Sequence, residues 1–278
     1  MKEERTIYQE MMGEVRLSRY QQQGQGMSPL VWTEVFLREI SRQPQEAILH
    51  FWPMEKTVIL GLMDRQVPHF DRGVQMIKDH GYQPLVRSMG GLGVVADRGI
   101  LNVSLVLPNT RGHKFDFHRS YLLMVDVIRQ SVRDLTDQIE AYEIKDSYCP
   151  GTYDLSIGGR KFAGLAQRMY QGAIVVSAYL SLTGHQEKRG QLMADFYHQG
   201  FAGQMRTDRY PQVNPASMAN LSTLLGKEIS VKEMQSRIEA VLVEQGYPIS
   251  DFQIREQTIA DCMMLQEDMQ KKAEKDGL

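Results

Sequence analysis

Cys149 stands in Asp146-Ser147-Tyr148-Cys149-Pro150-Gly151, between two runs of strand-forming residues. Pro150-Gly151 favours a turn, and a turn presents a thiol outward. The chemistry open to such a thiol is nucleophilic, covalent catalysis. A small hydrophobe in a loop accounts for the residue as well. Lys161 follows Gly158-Gly159, a two-residue hairpin turn. The reversal brings Lys161 back toward the Cys149 segment, although a lysine beside such a turn is ordinarily solvated. Strand alternation expects Lys161 and Ala163 on one face and Phe162 on the other. Cys262, among Met263, Met264 and Leu265, reads as core.

Gly90, Gly91 and Gly93 allow close approach of backbone to a ligand. The segment is neither G-x-G-x-x-G nor a P-loop, since no G-K-[ST] follows. A bulged strand explains the glycines equally well. Asp97 closes the segment, either orienting the loop or ending a strand.

The chain has 278 residues, 42% hydrophobic and 24% charged, ordinary for a globular protein. Its formal net charge of −2 gives no global field toward nucleic acid or anionic membrane, and neither is expected as a partner. Two cysteines make no disulfide framework, and no Cys/His cluster suggests a metal site. The charged N-terminus has no apolar h-region, and no apolar run approaches a membrane span. A cytosolic (cytoplasmic) protein is expected.

The elements that must position these residues follow from pattern. Residues 1–27 are polar and read as a loosely held N-terminal arm. Ser28-Pro29 opens a helix with Trp32, Val35, Phe36 and Ile40 on one face. Ala47–Trp52 and Thr57–Leu62 read as a hairpin, and a short helix covers 70–78. Tyr121, Val125, Ile128, Val132 and Leu135 mark another helix. Residues 139–182 read as strands, with turns at Gly158-Gly159 and Gln171-Gly172, and helical patterns dominate thereafter. No βαβ alternation is evident. The fold class is α+β, a mixed, mostly antiparallel sheet flanked by helices with a helical C-terminal part. The expected boundaries are 1–27 for the arm, 28–225 for the catalytic domain and 226–278 for a helical segment packed on it.

Two segments carry a resemblance. Arg87 to Asp97, RSMGGLGVVAD, resembles the R-x-x-G-G-x-G-x-x-x-D loop of the lipoate–protein ligase, octanoyltransferase and biotin ligase superfamily. Gly159 to Gln167, GRKFAGLAQ, resembles its G-[KR]-K-[IVF]-[AS]-G-x-A-Q strand. The resemblance implies a lipoate/biotin ligase-like catalytic domain. In it Lys161 faces the acyl carbonyl, and Arg87, Gly90, Gly91, Gly93, Asp97, Gly164 and Gln167 belong to the substrate site. Many relatives have histidine where this chain has Ala96, which leaves the role of Asp97 open.

The stretch around Cys149 is similar to the amidotransferase branch. That branch moves octanoyl from a lysine of the glycine-cleavage H protein to lysines of E2 lipoyl domains. The implied roles are Cys149 as the nucleophile forming an acyl-thioester, and Lys161 as the group that lowers the thiol pKa and transfers protons. No cofactor, metal or nucleotide is implied. A sister branch takes octanoyl from acyl carrier protein, the ligases use ATP, and a non-catalytic binder of lipoyl domains would keep the pocket with an inert thiol. The basic stretch Arg111–Arg119 is a candidate docking rim for acidic lipoyl domains.

Overall fold

Ile100–Pro108 alternates strictly. Leu101, Val103, Leu105 and Leu107 enter one core, while Asn102, Ser104 and Val106 turn to the opposite face. That alternation divides the molecule into two layers of packing around one sheet. The computed structural model describes residues 5–22, 28–109, 117–204 and 209–278.

In chain order the elements are α1 (Ile7–Met11), β1 (Arg16–Gln21), α2 (Ser28–Arg42), β2 (Glu46–Phe51), β3 (Thr57–Leu60), α3 (Phe70–Asp79), β4 (Gln83–Val86), β5 (Val94–Ala96) and β6 (Ile100–Pro108). There follow α4 (Phe117–Ser131), β7 (Glu140–Ala141), β8 (Leu155–Ile157), β9 (Arg160–Tyr170), β10 (Ala173–Ser181), α5 (Gln186–Gly200), α6 (Leu221–Leu225), α7 (Val231–Glu244), β11 (Ile249–Asp251) and α8 (Glu256–Lys275). The large sheet has the order β11-β1-β2-β6-β10-β9-β8-β7, and a smaller one has β4-β3-β5. In the large sheet only the β1 pairings, to β2 and β11, are parallel. The α+β, mostly antiparallel architecture expected from pattern is the one found. Helices α1, α4 and α7 cover one face of the large sheet. Helix α2 lies on the other face, beside the small sheet with α3 and α5. Among the described residues no helix is long and apolar enough to cross a membrane.

Three local expectations are corrected. Residues 16–21 form β1 in the sheet, with Tyr8, Met12 and Leu17 buried in the core, so this part of the polar stretch is not a loose arm. A few well-spaced apolar residues suffice to dock it. Strands β2 and β3 are not a hairpin, because they belong to different sheets. And β1-α2-β2 and β3-α3-β4 are two βαβ crossovers with parallel strands, the helix supplying the long connection that parallel neighbours need. Of the basic stretch 111–119, residues 111–116 lie outside the described residues.

Candidate active site

Lys161 reaches its place through a β-bulge. Leu155 pairs with Ala163 but Ser156 pairs with Lys161, so Phe162 is an extra residue in β9. Phe162 and Ala163 both enter the α4-side core. Lys161 instead turns to the opposite face, lining one cavity with Gly164 and Ala166. Without the extra residue the period of two would put Lys161 on the side of Ala163. The cavity walls are Leu30 of α2, Trp52, Val94, Tyr148, Ala178 and Tyr179, and Arg87, Cys149 and Lys161 open onto it.

Tyr148 fixes the cysteine segment. Its ring is buried, and its hydroxyl lies 2.6 Å from Tyr179 Oη and accepts from Gln186 Nε2 at 2.8 Å. The next residue, Cys149, has φ 47°, a left-handed conformation that non-glycine residues seldom adopt. Its sulfur thereby turns to the glycine loop. Leu92 N–H donates to Sγ at 3.2 Å, and Arg87 Nη2 lies 3.5 Å from it while donating to Leu92 O at 2.9 Å. Gly91 has φ 97°, and a Cβ there would stand 2.8 Å from Arg87 Nη2 and 3.0 Å from Sγ.

The Lys161 ammonium makes no hydrogen bond to the sulfur. Nζ donates to Cys149 O at 2.8 Å, and to Tyr148 O and Ser147 Oγ at 3.1 Å. It pairs with Asp154 Oδ1 at 2.9 Å. Both side chains are buried, 5% and 1% exposed, so leaving either charge unpaired there is costly. Asp154 also accepts from Gly151 N–H and Ile144 N–H. Burial pushes its carboxyl above the usual range, with Lys161 and these N–H groups opposing. Asp154 therefore joins the cysteine turn, the lysine and the strand into one unit.

Other residues singled out by sequence stand elsewhere. Gln167 faces α4, hydrogen-bonded to Ser120 Oγ and Phe117 O. Asp97 accepts from Tyr82 Oη at 2.9 Å and caps its own turn through Arg98 N–H, 4.0 Å from buried Arg189. Neither lines the cavity. Gly93 packs against Met193, Leu60 and Asp64, and Gly90 has open space around it. Cys262 is half-buried on α8 beside Val31 and Val35 of α2. Asp154, Glu34 and Asp64 escaped sequence reasoning. For Asp154 a signal existed, because a lysine placed in an apolar site demands an acidic partner. Glu34 of α2 lines the cavity, bonded to Ser88 Oγ and paired with Arg168 at 3.1 Å.

The fold is that of the lipoate–protein ligases. The bi-partite lipoate protein ligase of Thermoplasma acidophilum superposes with TM-score 0.63 at 19% identity, covering 91% of this chain and 92% of that one. Lipoate-protein ligase A bound with ATP gives 0.67 at 19%, covering 91% and 94%. The lipoyl protein ligase A/B catalytic domain matches residues 26–243, and the chain belongs to that family. Among similar proteins are the octanoyl-[GcvH]:protein N-octanoyltransferases of Oceanobacillus iheyensis, 37% identical over 84% of both chains, and Exiguobacterium sibiricum, 42% over 72% of both. The lipoyl-[GcvH]:protein N-lipoyltransferase of Listeria monocytogenes is 40% identical over 71% of both.

Proposed function

We propose that this chain is an N-octanoyltransferase of protein lipoylation. It moves octanoyl from a lysine of GcvH, the glycine-cleavage H protein, to lysines of E2 lipoyl domains through a thioester on Cys149. The names of its relatives support the reaction and the donor. The observation that carries the cysteine route is Cys149 lining a largely apolar cavity, its Sγ held by Leu92 N–H and Arg87, with Lys161 lining the same cavity.

The octanoyl tail lies against Leu30, Trp52 and Val94, each buried methylene contributing about 0.8 kcal/mol. The Cys149 thiolate attacks the amide carbonyl, with the Arg87 charge and Leu92 N–H stabilising the negative charge that moves from sulfur to oxygen. The Sγ–C bond forms, the C–N bond breaks, and the leaving lysine amine takes a proton from Lys161 Nζ. In the second half the neutral acceptor amine attacks the thioester. The new C–N bond forms, sulfur leaves as thiolate, and neutral Lys161 recovers the proton. Asp154 keeps Nζ in place through both halves.

The Listeria relative favours a second acyl group, lipoyl, for the same route. The test is a nucleotide-free assay with octanoyl-GcvH or lipoyl-GcvH as donor and an E2 lipoyl domain as acceptor. Octanoyl transfer without ATP is expected. Transfer only from acyl carrier protein, or only with ATP, would overturn the donor.

A further inference from the structure

Asp64 is fully buried in the turn after β3, a segment that the reaction above does not use. Its carboxylate accepts from Gly61 N–H at 2.7 Å and from Tyr197 Oη of α5 at 2.8 Å, and it packs against the Gly93 backbone. Gly61 and Gly93 are the two places where this turn meets the glycine loop. A Cβ on Gly61 would lie 1.9 Å from Gly91 O, and one on Gly93 would lie 3.2 Å from Leu60 and 3.5 Å from Asp64 Oδ2. Between the two contact points stands Leu92, whose N–H reaches Cys149 Sγ.

We propose that Asp64 is a positioning residue for acyl transfer, its buried carboxylate and Tyr197 holding the Gly91–Gly93 loop so that Leu92 N–H stays aimed at the reacting sulfur. A buried carboxylate with no cationic contact is costly. It accepts from the Gly61 N–H and the Tyr197 phenol. Both groups belong to the support of the loop, and the loop itself is held by close packing of Gly93 on Asp64 and of Gly91 O on Gly61. The charged and titratable groups that face it are Tyr197, Arg87 and Tyr210. Burial pushes its carboxyl up to about 6. Protonation would remove one acceptor position and slacken the loop. The left-handed Cys149 supplies the sulfur and Arg87 the charge, and Asp64 sets the distance of the third partner.

This inference rests on Cys149 being the nucleophile, and its test has one arm that does not. Asp64→Asn keeps the shape but turns one acceptor into a donor facing backbone N–H or phenol. Tyr197→Phe removes one bond only. For each variant, kcat and KM for octanoyl-GcvH are measured from pH 5 to 8, beside the rate of iodoacetamide alkylation of Cys149 with Cys262 as internal reference. A fall in kcat of about ten-fold or more in Asp64→Asn is expected, in line with loss of one aligned donor, with KM within about two-fold. The acidic limb of kcat should be lost, alkylation of Cys149 slowed and that of Cys262 unchanged. Tyr197→Phe should show the same pattern more weakly. If no enzyme form transfers octanoyl, the activity reading fails, while the alkylation arm still decides the role of Asp64. Unchanged Cys149 alkylation and kcat in both variants overturns the proposal, as does a loss confined to KM. If Asp64→Asn does not fold, Tyr197→Phe alone decides by the same readouts.

Discussion

Arg87 Nη2 lies 3.5 Å from Cys149 Sγ, making it the cation that touches the sulfur. Lys161, the residue that the motif singles out, grips the carbonyl oxygen of Cys149 instead. The two cations divide the work. In the proposed route Arg87 would attend the attacking sulfur, while Lys161 would shape the turn that presents it and supply the proton.

Arg87→Gln should therefore slow alkylation of Cys149 at pH 7 by about ten-fold, since a neighbouring cation favours the reactive thiolate. Lys161→Gln should slow it less. Equal effects of the two substitutions would put the charge at the sulfur down to both.

The Lys161–Asp154 pair is buried, so breaking it exposes its cost. Lys161→Met should lower unfolding free energy by roughly 3–5 kcal/mol, leaving an unpaired buried carboxylate. Lys161→Met/Asp154→Asn should recover most of that stability without recovering transfer. Urea unfolding measures both. Additive losses in the double variant would contradict a coupled pair.

Gly61 is required by contact with the Gly91 carbonyl oxygen, 1.9 Å from where a Cβ would stand. Gly61→Ala must push the loop away, costing on the order of 1–3 kcal/mol by overpacking. It should slow Cys149 alkylation although it touches neither Cys149 nor the acyl chain. Wild-type alkylation in that variant would show that the loop gives way without moving Leu92.

Asp64 should leave a mark on stability against pH. Its folded carboxyl is raised from 3.8 to about 6, so the folded state binds the proton more tightly than the unfolded one. The resulting stabilisation is complete below about pH 3.8 and is lost as pH rises through 6. At about 1.4 kcal/mol per unit it amounts to roughly 3 kcal/mol. The stability of wild type minus that of Asp64→Asn should fall by this order between pH 4 and 6 and stay flat above. A difference that rises with pH in that window would reverse the assignment.

How much of this was legible in the sequence depends on what each feature rests on. The Gly158-Gly159 and Gln171-Gly172 turns stand at positive φ as their types require, and strands β9 and β10 follow from them. The helix expected from Tyr121 to Leu135 is written in its spacing, although α4 ends at Ser131 and the last turn does not form. The bulge at Phe162 was not legible. One extra residue leaves the local pattern intact and reverses only what lies beyond it, so alternation alone puts Lys161 on the face of Ala163. The parallel pairing of β1 was hidden for a different reason, because register between distant strands is set by packing rather than by local propensity. Asp154 and Asp64 look like ordinary turn aspartates until burial gives each a task. Gln167 belongs to the same motif as Lys161, yet it faces α4.

The central claim is that Cys149 carries the acyl group, and intact-protein mass tests it most directly. After incubation with octanoyl-GcvH and no nucleotide, the protein should gain one octanoyl group. Hydroxylamine should remove it, peptide mapping should place it on Cys149, and Cys149→Ser should show no hydroxylamine-labile adduct. A labile adduct that persists in Cys149→Ser, or full octanoyl transfer by that variant, would contradict the account.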